Sequence, residues 1–282
     1  MHVSADTSPQ AAGPWIAGVS AVLSRPRAIA LGCMAILTTA GWAYLLLAAA
    51  FQGSSDPAGL LAEMCRALPA NGTTGAGTAG LVAAMWGAMT LAMMLPTAGP
   101  MILTYAEIAE TALRKGERIV SPHVLIAGYL AVWFGFAAVA TLAQLGAMSL
   151  AAWPGMSSLA APASAMLFVV AGLYQFTALK RACLTACQSP FSFFFLNWTD
   201  RPRGVFRLGV RQGLFCLGCC WATMLLMFAA GAMNALWMAL LGLVMLTEKM
   251  TMSRQVSRAI GVAFTAAGLT IAAAWSSGLF VM

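Results

Sequence analysis

The sequence predicts an all-α fold, a polytopic transmembrane helix bundle with about seven spans. One observation is composition: 61% of the 282 residues are hydrophobic and 8% are charged, whereas a soluble domain carries about 25% charged residues. A second is the mean hydropathy of +0.85. A third is that the apolar residues are gathered in blocks long enough to cross the hydrocarbon core of a bilayer. The chain is therefore predicted to be an integral membrane protein.

Seven apolar blocks have the length of membrane spans. They cover residues 28–51, 79–105, 123–148, 163–180, 213–230, 234–248 and 259–281. The first block begins late and is long enough to span, so we interpret it as a signal anchor rather than a cleaved signal peptide. Residues 1–27 are predicted to form a loose cytoplasmic tail, and residues 28–282 a single transmembrane domain.

The positive charges alternate from one predicted connection to the next. Every Lys and Arg except Arg66 falls on the side of the membrane that holds the N-terminus. The positive-inside rule then places the N-terminus in the cytoplasm and the C-terminus outside. This topology and the attraction of anionic lipid account for the net charge of +7, so no nucleic-acid partner is expected.

Five cysteines lie near the predicted cytoplasmic face, in two short groups. In LKRACLTACQSP, Cys183 and Cys187 are four residues apart and share a helix face. In GLFCLGCCWATMLLM, Cys216 and Cys220 have the same spacing, and Cys219 lies on the flank of that face. The cytoplasm keeps thiols reduced, so structural disulfides are not expected. A free cysteine is often a simple core residue, but five in two clusters indicate metal ligands.

Methionines extend these cysteines with further sulfur ligands. Met224 and Met227 continue the second group at helical spacing, and Met85, Met89 and Met93 form a column on the second span, in MWGAMTLAMMLP. Thiolates and thioethers are soft ligands that favour Cu(I), so copper is the predicted metal and zinc the weaker alternative. Methionine is also a routine filler of helix interfaces, and that alternative stays open.

Prolines, an acidic residue and an aromatic segment lie near the cytoplasmic ends of the predicted spans. Pro96 and Pro100 are expected to kink the second span and to free a backbone carbonyl that needs another partner. Glu248 is expected to pair with Lys249 or to reach the interface. Residues 181–212 are predicted to form a cytoplasmic loop in the interfacial layer, because SPFSFFFLNW is too short to span and too aromatic for water.

The scarcity of histidine argues against most metalloenzymes. His2 and His123 are the only two histidines in the sequence, whereas haem, di-iron and catalytic zinc centres take several. The sequence also lacks a phosphate-binding P-loop and a nucleophile elbow. Conventional catalysis is therefore not expected, and no catalytic residue is assigned.

Four segments of the chain carry a resemblance to a known family. They are MWGAMTLAMMLPTAGP, LYQFTALKRACLTACQSP, GLFCLGCCWATMLLM and GAMNALWMALLGLVMLTEK. Over residues 80–250 the chain resembles bacterial domain-of-unknown-function family 2182, predicted metal-binding integral membrane proteins. The resemblance implies a set of metal ligands, namely Cys183, Cys187, Cys216, Cys219 and Cys220. The family pattern has histidine where this chain has Ala186 and Gln212, which implies a site of sulfur alone and favours copper over zinc.

Three functions remain open at this stage. The first is a bacterial inner-membrane protein that binds Cu(I) and passes it between the membrane and the cytoplasmic face by ligand exchange. Its expected partners are the lipid bilayer and a copper chaperone or a copper-dependent membrane enzyme. The second is a thiol-disulfide protein that exchanges electrons with quinone through Cys216, Cys219 and Cys220. The third is a structural subunit whose sulfur atoms only pack.

Overall fold

A computed structural model of the protein describes residues 26–52, 76–117, 119–151, 160–229, 235–251 and 253–277. Within these residues there is no strand and almost every residue is helical, which confirms the predicted all-α helix bundle. The helices are α1 (Pro26–Gln52), α2 (Ala76–Met89), α3 (Leu95–Thr97), α4 (Gly99–Arg114), α5 (Pro122–Ala151), α6 (Ala160–Tyr174), α7 (Ala178–Gln188), α8 (Pro190–Asn197), α9 (Pro202–Ala229), α10 (Ala235–Met250) and α11 (Arg254–Ser276). A π-helical turn, Thr90–Met94, joins α2 to α3.

Five helical segments of the described chain are long and apolar enough to cross a membrane. They are Pro26–Leu47, Gly77–Thr97, Pro122–Leu150, Pro202–Ala229 and Arg254–Ser276. α6 and α7 together make a sixth if they form one span bent by 65°. α10 has 16 residues, which is shorter than the roughly 20 that a perpendicular span needs. The count of seven spans and their orientation stay predictions.

The segment predicted as a cytoplasmic loop, residues 181–212, is largely helical. It contains the end of α7, the aromatic helix α8 and the start of α9 at Pro202, well before the predicted span start at residue 213. The early turns of α9 are helical because they pack against the bundle, with Val205 and Leu208 buried. Proline is tolerated in the first turn of a helix, which lets α9 begin at Pro202.

The second predicted span is irregular around its first proline: the π-helical turn Thr90–Met94 precedes Pro96, and α3 ends at Thr97. Pro96 has no N–H, so the carbonyl of Ala92 lacks its usual helical donor four residues later. The indole Nε1 of Trp42, on α1, donates to that carbonyl at 3.1 Å. The expectation that a freed carbonyl finds a partner within the protein is therefore confirmed.

α5 and α9 pack closely through glycines. A Cβ atom on Gly128 would overlap the carbonyl oxygen of Phe206, and one on Gly209 would overlap the carbonyl oxygen of Leu125. Small residues at a helix crossing let two backbones approach, which is how helices associate in an apolar environment. This crossing holds the helix that carries three of the clustered cysteines firmly against α5.

Candidate metal site

The two cysteine groups meet in the structure. Cys187 on α7 and Cys216 on α9 line one small space between the helices, and the Sγ of Cys219 donates to the carbonyl of Cys216 at 3.1 Å. The Sγ atoms of Cys219 and Cys220 are 3.3 Å apart. The three cysteines of α9 are each 2% exposed, so neither Cys216 nor Cys220 faces outward. These four residues, Cys187, Cys216, Cys219 and Cys220, are called the thiol cluster below.

Cys183 lies beside the thiol cluster, at the place where α7 docks on α9. A Cβ atom on Gly218 would lie 2.6 Å from the Sγ of Cys183, so the absence of a side chain at Gly218 makes room for the thiol. The hydroxyl of Tyr174, at the end of α6, donates to the carbonyl of Gly218 at 2.5 Å. The glycine in the GCC sequence is therefore the contact point between the two cysteine groups.

A lysine and a tyrosine from other helices reach the thiol cluster at Cys216. The Nζ of Lys249, on α10, is 2.9 Å from the Sγ of Cys216 and donates to Thr97 Oγ1 at 2.7 Å. The hydroxyl of Tyr129, on α5, lies 3.0 Å from the same sulfur and donates to the carbonyl of Met94 at 2.9 Å. The sequence analysis assigned none of these neighbours to the site.

A small cavity of about 10 Å³ opens beside the thiol cluster. It is lined by Thr97, Ala98, Met101, Tyr129, Cys187, Gln212, Cys216 and Lys249. This volume suits one water molecule or one ion. Met101 lines the cavity together with Cys187 and Cys216, and it is a sulfur-bearing residue that was not predicted from the sequence to belong to the site.

The methionines predicted as ligands all lie in the core. They are Met85, Met89, Met93, Met224 and Met227. The π-helical turn falls between Met89 and Met93, so their spacing of four residues no longer guarantees a shared face. Met93 lies against α10, with its Cε 3.3 Å from where a Cβ on Gly242 would stand. Methionines that only fill the core are buried in the same way, so the role of these methionines as ligands stays a prediction.

Glu248 and Lys249 do not pair with each other, contrary to one expectation from the sequence. The Oε2 of Glu248 is 2.8 Å from the Nζ of Lys180, and the two side chains are 3% and 2% exposed. Consecutive helical residues point about 100° apart, so the two side chains of α10 meet different neighbours. The Nε2 of Gln188 also donates to the carbonyl of Glu248, at 2.8 Å. These contacts tie α7 to α10.

Ala186 and Gln212, the two positions that the family resemblance singled out, are neighbours in the structure. The Nε2 of Gln212 lies 3.5 Å from the carbonyl oxygen of Ala186. The Oε1 of Gln212 is buried and has no hydrogen-bond partner within the described chain. Gln212 also lines the small cavity, so the cavity wall carries one acceptor that a bound molecule can use.

Within the described ranges, no group of three or more His, Cys, Asp or Glu side chains has the geometry to hold a metal ion. The thiols instead contact one another, and Cys216 contacts Lys249. Binding an ion in the thiol cluster would therefore replace contacts between thiols by metal–sulfur bonds. Cys33 is half-buried on α1, away from the cavity lining, and Cys65 lies outside the described residues.

Comparison with known proteins adds one finding. The sequence pattern of the PpoB2 family, described as copper chaperone, matches residues 83–271. The match includes both cysteine groups, Tyr129 and Lys249. It agrees with the metal-binding character that the resemblance to domain-of-unknown-function family 2182 implied. No curated protein and no solved structure matched the chain.

Proposed function

This chain belongs to the PpoB2 family of copper chaperones, and from that premise we propose that it binds Cu(I) in the thiol cluster and passes it on by exchange of sulfur ligands. The observation that carries the proposal is that Cys187 of α7 and the buried Cys216 of α9 line the same small cavity. Thiolates are soft ligands that favour Cu(I). We place the protein in a bacterial inner membrane, where a copper chaperone or a copper-dependent membrane enzyme would supply or receive the ion.

The proposed entry site is the small cavity. Cys187, Cys216 and Met101 line it, so sulfur-bearing side chains from three helices surround the space. Cys219 and Cys220 continue the thiols along α9, and their sulfurs are in contact. Ligand exchange needs a second sulfur atom close to the ion before the first copper–sulfur bond breaks. Neighbouring thiols supply that second sulfur atom.

Deeper transfer would use the thioethers. Met224 and Met227 follow the cysteines along α9 and are completely buried. Met85, Met89 and Met93 are buried on the second predicted span. Thioethers are uncharged, so they hold Cu(I) less strongly than thiolates do, and the resulting difference in affinity would set the direction of movement.

Lys249 matches the charge of a Cu(I) site with two thiolates. One Cu(I) and two thiolates carry a net charge of minus one, which the ammonium beside Cys216 cancels. A divalent ion on the same two thiolates would leave one positive charge uncompensated, and uncompensated charge in an apolar interior is costly. Lys249 thus supports a monovalent ion over zinc.

The function is tested by loading purified protein with Cu(I) without oxygen and measuring bound copper. We expect the Cys216→Ser/Cys219→Ser variant to lose bound copper, and the Cys33→Ser variant to keep it, because Cys33 lies on α1 away from the cavity. X-ray absorption of the loaded protein should show a shell of sulfur only. Copper retained by the double variant at wild-type amounts would contradict the proposal. Metal-free protein with a reversibly formed disulfide would support the redox alternative instead.

A further inference from the structure

A second cavity, of about 210 Å³, lies between the α6–α7 bend and the start of α11. Three arginines line it, Arg181 from α7 and Arg254 and Arg258 from α11. Among the residues of the described chain that line this cavity, none is Asp or Glu. The three arginines are exposed, and an anion in this space would meet their positive charge without a competing carboxylate among the lining residues. We call this space the arginine cavity.

Neutral polar groups complete the wall of the arginine cavity. Ser253 is the N-cap of α11 and accepts from the backbone N–H of Gln255 at 3.3 Å, so the positive end of the helix dipole faces the same region. Gln175 also lines the cavity; it is 3% exposed, and its Oε1 has no hydrogen-bond partner in the part of the chain that the structure describes. A buried acceptor without a hydrogen-bond partner is independent evidence for a ligand that donates a hydrogen bond there, such as one with a hydroxyl group.

We propose that the arginine cavity binds a phosphate-bearing anion, held by Arg181, Arg254 and Arg258. The planar guanidinium matches two phosphate oxygens at once, which makes arginine suited to this ligand. A hydroxyl group of the ligand, from hydrogen phosphate or from the glycerol of a lipid headgroup, would donate to Gln175. The ligand is therefore a free phosphate or the headgroup of an anionic phospholipid.

The position of the cavity suits either source. α11 is a candidate span that begins at Arg254, and the bent pair of α6 and α7 is a further candidate. The cavity thus lies at the end of apolar helices, where phospholipid headgroups meet water. Basic pockets between spans at this level attract anionic headgroups.

The arginine cavity shares α7 with the thiol cluster. Arg181 and Gln188 line the cavity, while Cys187 of the same helix joins the thiols of α9. Gln188 also donates to the carbonyl of Glu248, the residue before Lys249. A bound anion would hold α7 in the position that brings Cys187 to the cluster. This coupling to copper rests on the proposed function, whereas the anion site does not.

The test compares two triple variants of the full chain. The cavity variant removes the three positive charges that line the cavity and is Arg181→Gln/Arg254→Gln/Arg258→Gln. The control variant removes three positive charges from exposed arginines outside the cavity and is Arg201→Gln/Arg203→Gln/Arg207→Gln. The probes are inorganic phosphate, followed by calorimetry, and nanodiscs of phosphatidylglycerol or phosphatidylcholine, followed by native mass spectrometry of retained lipid. Because a charge-assisted hydrogen bond contributes enough free energy for it, we expect each lost arginine to weaken binding about tenfold.

Each outcome either supports the proposed anion site or contradicts it. Phosphate binding lost only in the cavity variant identifies free phosphate, and phosphatidylglycerol retention lost only there identifies the lipid headgroup. Equal binding by the two variants, or no saturable binding of either probe by the wild type, overturns the proposal. If the triple variant fails to fold, the single substitution of the exposed Arg254 to Gln gives the same comparison. Bound copper is measured in parallel. If the cavity variant loses anion binding but still binds copper, the anion site stands and its coupling to copper is wrong. If the wild type binds the anion but no copper, only the proposed function is contradicted.

Discussion

Lys249 dominates the electrostatics around the thiol cluster. The residue is 8% exposed, and its ammonium contacts the Sγ of Cys216 and the hydroxyl of Thr97. A buried ammonium needs hydrogen-bond partners and an opposite charge nearby. A cation beside a thiol also favours the thiolate, which is the form that binds a metal. The lysine and the proposed copper–thiolate unit therefore stabilise each other.

Replacing Lys249 by Met should weaken Cu(I) binding. The substitution keeps the length of the side chain but removes a charged hydrogen bond, which contributes about 1.5–3 kcal/mol, so the affinity should fall roughly 10- to 100-fold. The measurement is competition with a chelator of known Cu(I) affinity. Lys115→Met removes an exposed lysine outside the site and should leave the affinity unchanged. Equal affinities for the two variants would show that Lys249 does not act as the counter-ion.

The cysteines of the site could be predicted from the sequence, whereas their partners could not. Cys183 with Cys187 and Cys216 with Cys220 are set by helical spacing, which is local information. Tyr129 is 87 residues from Cys216 along the chain, and only the packing of α5 against α9 brings them together. That Glu248 and Lys249 have different partners could have been predicted, because adjacent residues of a helix do not share a face.

At the scale of elements, the buried ion pair between Lys180 and Glu248 fixes α7 against α10. Replacing Glu248 by Gln leaves a buried ammonium without its counter-charge, and breaking such a pair costs about 3–5 kcal/mol. We expect a clear fall in the thermal unfolding temperature in detergent. The variant Lys180→Met/Glu248→Leu removes both charges and should recover most of the loss. If the double variant is as unstable as the single one, the charge argument is wrong.

The carbonyl of Ala92, which Pro96 leaves without its helical donor, accepts a hydrogen bond from a side chain of α1. Trp42→Phe keeps an aromatic ring but removes the N–H that satisfies the carbonyl of Ala92. An unmet buried carbonyl costs about 1–3 kcal/mol, so the unfolding temperature should fall. The matched control is Trp275→Phe, on the exposed side of α11, which should be neutral. An unchanged unfolding temperature for the Trp42 variant would mean that another donor reaches Ala92.

Long apolar helices were predictable and the bends between them were not. The blocks that became α1, α5 and α11 follow from length and hydropathy alone. The region from α7 to α9 was predicted as an interfacial loop because its arginines and aromatic residues break the apolar pattern. It is helical because α7 and α9 bury one face each against the bundle, and a composition average does not detect one buried face.

For the whole molecule, the site exists because separate helices cross at short distance. α9 supplies three thiols, α7 the fourth, α10 the ammonium and α5 the tyrosine hydroxyl. None of these helices holds the complete site. The Cys216 side chain meets Tyr129 only because α5 and α9 approach through Gly128 and Gly209. Copper binding and bundle assembly should therefore be lost together when that approach is blocked.

Gly128→Ala tests this dependence directly. The new methyl group would overlap the carbonyl oxygen of Phe206, which is backbone and cannot rotate away, so α5 and α9 must separate. Overpacking of this kind costs about 1–3 kcal/mol, and the separation would move the hydroxyl of Tyr129 away from Cys216. We expect a lower unfolding temperature together with weaker Cu(I) binding.

The control for this variant is on the same helix. Gly135→Ala places its methyl group in open space and should be neutral or slightly stabilising, since alanine favours a helix over glycine by about 1 kcal/mol. A Gly128→Ala protein that unfolds earlier but binds Cu(I) as the wild type does would separate helix packing from the metal site. The thiols of α7 and α9 alone would then suffice, and the contribution of α5 to the site would be wrong.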